Sequence, residues 1–120
     1  MRTIKTHKVN PANDKLTIEV IDQPGSGGAN HEYVVSGFDA GVGDVSLSFQ
    51  NGPIAEAGVN GITHEVLLAI VIDRMQCFQA GPYSCRENAL ALTKLQEAQM
   101  WLLERTRGRM ARGVEGTHEK

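Results

Sequence analysis

Four arginines within eight residues, Arg105, Arg107, Arg109 and Arg112, are the most concentrated chemistry in this 120-residue chain. A guanidinium is permanently charged and presents a planar fork of N–H donors that fits phosphate or carboxylate oxygens two at a time. The formal net charge is -2, so the positive potential is local. A protein that coats nucleic acid spreads basic residues over a whole face. A single basic knot in a slightly acidic chain fits a small, discrete, phosphate-bearing ligand better, and no DNA or RNA polymer is expected as a partner.

Other reactive side chains do not assemble into a recognisable catalytic pattern. His64-Glu65 and His31-Glu32 are sequence neighbours, and neighbours on a helix point about 100° apart, so His64-Glu65 is not a dyad. Cys77, Cys85 and His118 stand apart, and there is no H-E-x-x-H spacing or carboxylate cluster. No catalytic residue, metal site or cofactor is expected. Two cysteines do not make a disulfide scaffold or a zinc site, which suits a reducing cytosol. The N-terminal MRTIKTHKVNPANDKLTIEV has no apolar run of signal-peptide type, and the longest apolar run, Val66 to Ile72, is too short to span a membrane.

The elements that position the arginines are read from a change of hydrophobic period near Gly61. Before it, Leu16, Ile18 and Val20 alternate with polar residues, as do Val45, Leu47 and Phe49, a period of two that marks half-buried strands. Further strands are expected over Thr3–Val9 and Glu32–Phe38. The glycines of Pro24–Gly28 and Gly41–Gly43 supply turns. Residues 1–61 therefore read as a small antiparallel sheet. Beyond Gly61, Ile62, Val66, Ala69, Ile70 and Cys77 recur at helical spacing, with Thr63 as N-cap and Gly81-Pro82 as the stop.

Ser84-Cys85-Arg86-Glu87 matches a capping box and predicts that a second helix starts at Ser84. Residues 62–120 thus form a helical hairpin with an arginine-rich end, and the fold class is α+β. Leu92, Leu95, Leu102 and Leu103 mark one apolar face of the second helix, while Leu90, Met100 and Trp101 extend it further round the cylinder. That excess predicts a homo-oligomeric interface. If the helix passes Gly108, then Arg105, Arg109 and Arg112 share a face. The residues alone leave two readings open, a ligand site or arginines that complement the helix macrodipole. An arginine patch that docks an acidic protein surface is a third.

A resemblance narrows the choice. Phe49-Gln50-Asn51-Gly52-Pro53-Ile54, Gly58 to Ile62, Leu67 to Arg74, Cys85 to Leu95 and Ala111 to His118 together resemble a phage immune-evasion family, the first type of Thoeris anti-defence protein. The hairpin, with Ala91-Leu92-Thr93-Lys94-Leu95 and then Trp101, also resembles the smaller phage anti-CBASS sponges. The resemblance implies a catalytically inert sponge that acts in the host bacterial cytoplasm. It would capture the cyclic ADP-ribose isomer made by a TIR-domain enzyme, and some relatives also take cyclic di- or trinucleotides. It implies Phe78 as the base-stacking ring, Asn88 as a polar contact, and Arg105 and Arg109 at the phosphates; Arg112, on the same helix face, is expected to join them as a ligand-binding residue.

One consequence is geometric. Arg105 lies 17 residues beyond Asn88, about 25 Å along a straight helix. One ligand of this size cannot bridge that length within one chain, so a shared pocket requires the arginines of a second subunit. A homodimer is expected, and relatives imply association of dimers into a hexamer. Gln50–Pro53 and Gly113–His118 are candidates for the pocket rim.

Overall fold

A computed structural model describes all 120 residues and divides into two compact units, Met1–Ile62 and Thr63–Lys120. The fold is α+β: a four-stranded antiparallel sheet, then helices that end in a helical hairpin. The strands are β1 (Arg2–Ile4), β2 (Thr17–Val20), β3 (Glu32–Ser36) and β4 (Val45–Ser48), paired in chain order as a meander. Register explains the alternation seen in the sequence. Ile4 faces Ile18, Ile18 faces Val35, Val20 faces Tyr33, and Tyr33 faces Leu47, so the apolar side chains stack across one face. Val20 is the most buried of them, 1% exposed.

The strands are shorter than the sequence predicts. Residues 5–9 leave the sheet, because Asn10 accepts a hydrogen bond from the Asn13 amide and starts the short helix α1 (Pro11–Lys15) with proline at its first turn. His7 Nε2 and Lys8 Nζ tie to the Leu16 and Asp14 carbonyls and fix that departure. Between β2 and β3, Asp22 accepts amide hydrogens from His31 at 2.9 Å and Glu32 at 3.2 Å. Burial raises the Asp22 pKa, but these amides and the Asn30 side chain outweigh it, and the carboxyl titrates below the ordinary aspartate range.

After β4, residues 50–53 begin a longer loop and do not close a tight turn. Phe49 pairs with Ile62 in a parallel bridge, and residues 50–61 loop out around the short helix α2 (Ile54–Ala57). Two amide side chains stitch that loop. Gln50 donates to the Gly52 and Gly58 carbonyls and accepts from the Asn60 amide, while Asn60 exchanges two hydrogen bonds with the Asn51 backbone. Gly61 is where the loop closes. A Cβ there would lie 2.4 Å from the Phe49 carbonyl carbon, so only glycine fits.

The second unit is an antiparallel pair, α3 (His64–Ala80) and α4 (Arg86–Ala111). Thr63 caps α3 by accepting from the Val66 amide, and Gly81 ends it. The expected Ser84 cap of α4 is not formed. Cys85 occupies the N-cap position, with its Sγ accepting from the Asn88 amide at 3.4 Å. Glu87 then falls one position too early to reach back to the cap. Gln79 of α3 takes that role instead: its Oε1 accepts from the Cys85 amide and its Nε2 donates to the Cys85 carbonyl. The cap is therefore built by tertiary contact, which a local four-residue pattern cannot report.

On α4, Asn88, Leu92, Leu95, Gln99, Leu102, Thr106 and Arg109 are half-buried or buried while most of their neighbours are exposed. Their spacing alternates four and three, the period of a helix seam packed along a partner. On α3 the matching stripe is Glu65, Leu68, Ile72, Met75 and Gln79, with Ile72 the most buried. Gln99 reaches the Glu65 carbonyl. The other faces retain Val66, Ile70, Leu90, Met100, Trp101 and Met110 exposed, with Trp101 62% accessible. One helix pair covers one seam only. No helix is long and apolar enough to cross a membrane.

Candidate functional site

The hairpin turn assembles one group of aromatic and polar side chains. Phe78 lies in the last turn of α3, half-buried, with the Tyr83 ring 6.5 Å away at a 39° tilt and the Arg74 guanidinium carbon 4.9 Å from its centroid. Arg74 and Phe78 are i and i+4 on one helix, which is why they meet. Asn88 stands in the first turn of α4. Its backbone amide serves the Cys85 cap and its half-buried side-chain amide makes no hydrogen bond. The Gln79–Cys85 clamp fixes the connection between the helices. A ring and an amide able to donate and accept are thus held at one end of a rigid hairpin.

The arginine end is organised differently. The helix passes Gly108 without a break and ends in a Schellman turn: Gly113, at φ 74°, donates to the Met110 carbonyl, and Val114 donates to that of Arg109. The left-handed glycine turns the tail back over the last helical turn. Arg109 is consequently 6% exposed. Its Nε donates to Glu115 Oε2 at 3.0 Å, its Nη2 to the Val114 and Thr117 carbonyls, and its Nη1 to the Glu119 carbonyl. Arg112 donates to the Lys120 carbonyl, and Arg107 lies 3.5 Å from Glu104. Arg105 is exposed and has no acidic or carbonyl partner.

The four arginines are therefore not one equivalent patch. Arg109 continues the inward seam of α4 beyond the reach of α3, and the tail covers it. Arg105 lies one turn after Trp101 at i+4, so the exposed apolar face also carries the free guanidinium. The sequence contained the acids that engage Arg107 and Arg109, but Glu115 reaches back only because Gly113 reverses the chain. The unbroken α4 keeps Asn88 and Arg105 about 25 Å apart along its axis. The structure brings Phe78 together with Arg74 and Tyr83, and it brings Arg109 together with the tail. Within one chain it does not bring Phe78 or Asn88 to the arginines. Arg74 escaped the sequence reading although its i, i+4 relation to Phe78 was a usable signal.

Cys77 and Cys85 are free thiols, and no three of the His, Cys, Asp and Glu side chains gather where they could hold a metal ion. In the sheet unit, a shallow depression of about 210 Å³ is lined by residues including Arg2, Asp22 and Asn30. Three of its polar residues are already joined: Arg2 donates to Asn30, and Asn30 to the Asp22 carbonyl.

Residues 46–107 match the family model described as "Acb2/Tad1, hairpin domain". That match begins in β4, takes in α3 and most of α4, and stops before Arg109. The chain is also 48% identical over 110 residues to a protein of Bacillus phage SBSphiJ7 named "Thoeris anti-defense 1", across 92% of this chain and 75% of that protein. A likeness this extensive covers the sheet as well as the hairpin, and the chain belongs to the Thoeris anti-defence 1 family with its Acb2/Tad1 hairpin domain.

Proposed function

We propose that this protein counters the bacterial Thoeris system during phage infection by binding a cyclic ADP-ribose isomer in the host cytoplasm and holding it without cleaving it. The observation that carries the reading is the division of labour along α4 in a chain 48% identical to a Thoeris anti-defence protein. Phe78 and Asn88 offer a stacking face and an adenine-edge or ribose contact at one end. Arg105 offers an unpaired fork for pyrophosphate oxygens at the other. These ends form one pocket when a second copy packs its α4 antiparallel against the first. The exposed Leu90, Met100 and Trp101 supply the apolar surface for that contact. A two-fold dimer then holds two pockets, each with Phe78 and Asn88 from one copy and Arg105 from the other.

Arg109 joins the pocket when its donors exchange the Glu115 carboxylate and tail carbonyls for phosphate oxygens, and Arg112, one turn on, adds positive potential. Association of dimers into a hexamer is part of the same reading. The sponge is distinguished from an enzyme by fate of the ligand. Incubation with a panel of cyclic ADP-ribose isomers, followed by heat denaturation, should deplete free ligand and then return it intact. Recovery of a cleaved product contradicts the reading. An acidic-protein adaptor would neither deplete the ligand nor be stabilised by it. Cyclic di- and trinucleotides in the same panel, read by thermal shift, test whether the pocket's chemistry extends to them.

A further inference from the structure

The geometry points to Arg74 as a further ligand-binding residue, one that contacts a phosphate at the stacking end of the pocket. The inference rests on the proposed ligand class and adds to it a second site of charge recognition, on α3 rather than α4. Arg74 is exposed, and its only interaction is with the Phe78 ring, 4.9 Å from the guanidinium carbon. A guanidinium placed over a ring face keeps its in-plane N–H donors free, because the attraction uses the π-face of the cation and not its edges. The ring therefore holds the fork in position without consuming its hydrogen-bonding capacity. Arg109 shows the opposite state, with every guanidinium nitrogen bonded.

The neighbouring acid does not neutralise Arg74. Asp73 precedes it on the helix and forms no ion pair with it, and adjacent helical residues diverge by about 100°. Arg74 also sits one helical turn from Phe78, toward the middle of α3. A nucleotide whose base stacks at Phe78 carries its phosphate beyond the ribose, on the order of one 5.4 Å helical turn away. A phosphate reaching that way along α3 would meet a fork already oriented. A cyclic ADP-ribose isomer closes its ring through one pyrophosphate, so guanidinium groups reaching it from the turn end and from the arginine end would grip that group from two sides.

The test separates this role from mere support of the Phe78 ring. Binding of adenosine, ADP-ribose and the cyclic isomer panel is measured by calorimetry for the wild type, Phe78→Ala, Arg74→Ala and Arg74→Lys, with thermal melts confirming that each is folded. Loss of one or two charge-assisted hydrogen bonds predicts about a ten- to hundredfold weaker affinity of Arg74→Ala for phosphorylated ligands. Adenosine binding should change much less, and Arg74→Lys should recover part of the loss through its charge. An equal loss for adenosine and for phosphorylated ligands would mean that Arg74 only supports the ring, and would overturn the inference. So would unchanged binding by Arg74→Ala where Phe78→Ala binds weakly, which leaves the sponge reading intact. If the wild type binds none of the cyclic isomers, the sponge reading itself fails, and this inference falls with it.

Discussion

The two ends of α4 present the same kind of polar chemistry in opposite states. At the hairpin turn, Arg74 and Asn88 keep donors and acceptors free beside two aromatic rings. At the far end, Arg109 is saturated by Glu115 and three tail carbonyls, Arg112 is held by Lys120, and only Arg105 is unengaged. The number of arginines in a segment is therefore a poor guide to the charge available for a ligand. What decides it is whether the backbone returns an acceptor to each one. Gly113 does so for Arg109; on α3, nothing does so for Arg74.

Replacing the free guanidinium should have the largest effect. Arg105→Ala should weaken capture of a cyclic ADP-ribose isomer about ten- to hundredfold, the value of a hydrogen-bonded charge, while its melting curve stays near that of the wild type. Next comes the tail. Glu115→Gln removes the carboxylate that engages Arg109, and if Arg109 serves the ligand, affinity should rise by a few-fold; unchanged or weaker binding would assign Arg109 to holding the tail. Gly113→Ala places a side chain at φ 74° and should cost about 1 kcal/mol in urea unfolding. Cys85→Ser replaces a weak sulfur acceptor with a favoured N-cap oxygen and should gain about 0.5 kcal/mol, whereas Ser84→Ala should be nearly neutral.

A pH prediction concerns the sheet unit. Asp22 has its carboxyl pKa lowered in the folded state, so it contributes stability above its unfolded pKa and loses it as pH falls through the folded value. Asp22→Asn should flatten the acid limb of the stability curve below the ordinary aspartate range, measured by chemical denaturation at stepped pH. An unchanged acid limb would show that other groups control it.

Much of the scaffold was legible because it is local. Alternation in Leu16–Val20 and Val45–Phe49 gave strands, Thr63 announced α3, and the change of period near Gly61 separated sheet from helices. Features that depend on distant parts of the chain were not. The Cys85 cap needs Gln79 from the other helix, and the loop at residues 50–61 needs Gln50, Asn51 and Asn60 to find one another. Arg109 sits on a face with Arg105 by helical angle, yet its burial comes from a chain reversal that no helical wheel represents. Phe78 and Asn88 were singled out by family resemblance and not by any period.

In the proposed dimer, each pocket joins the turn end of one copy to Arg105 of another. Phe78→Ala and Arg105→Ala chains, each weakened in capture on its own, should be unfolded together, refolded and assayed for ligand capture. Each mixed dimer should regain one of its two pockets, assembled from the intact Phe78 of one chain and the intact Arg105 of the other. Recovered capture supports the intersubunit pocket; mixed dimers that form but capture no ligand would contradict it.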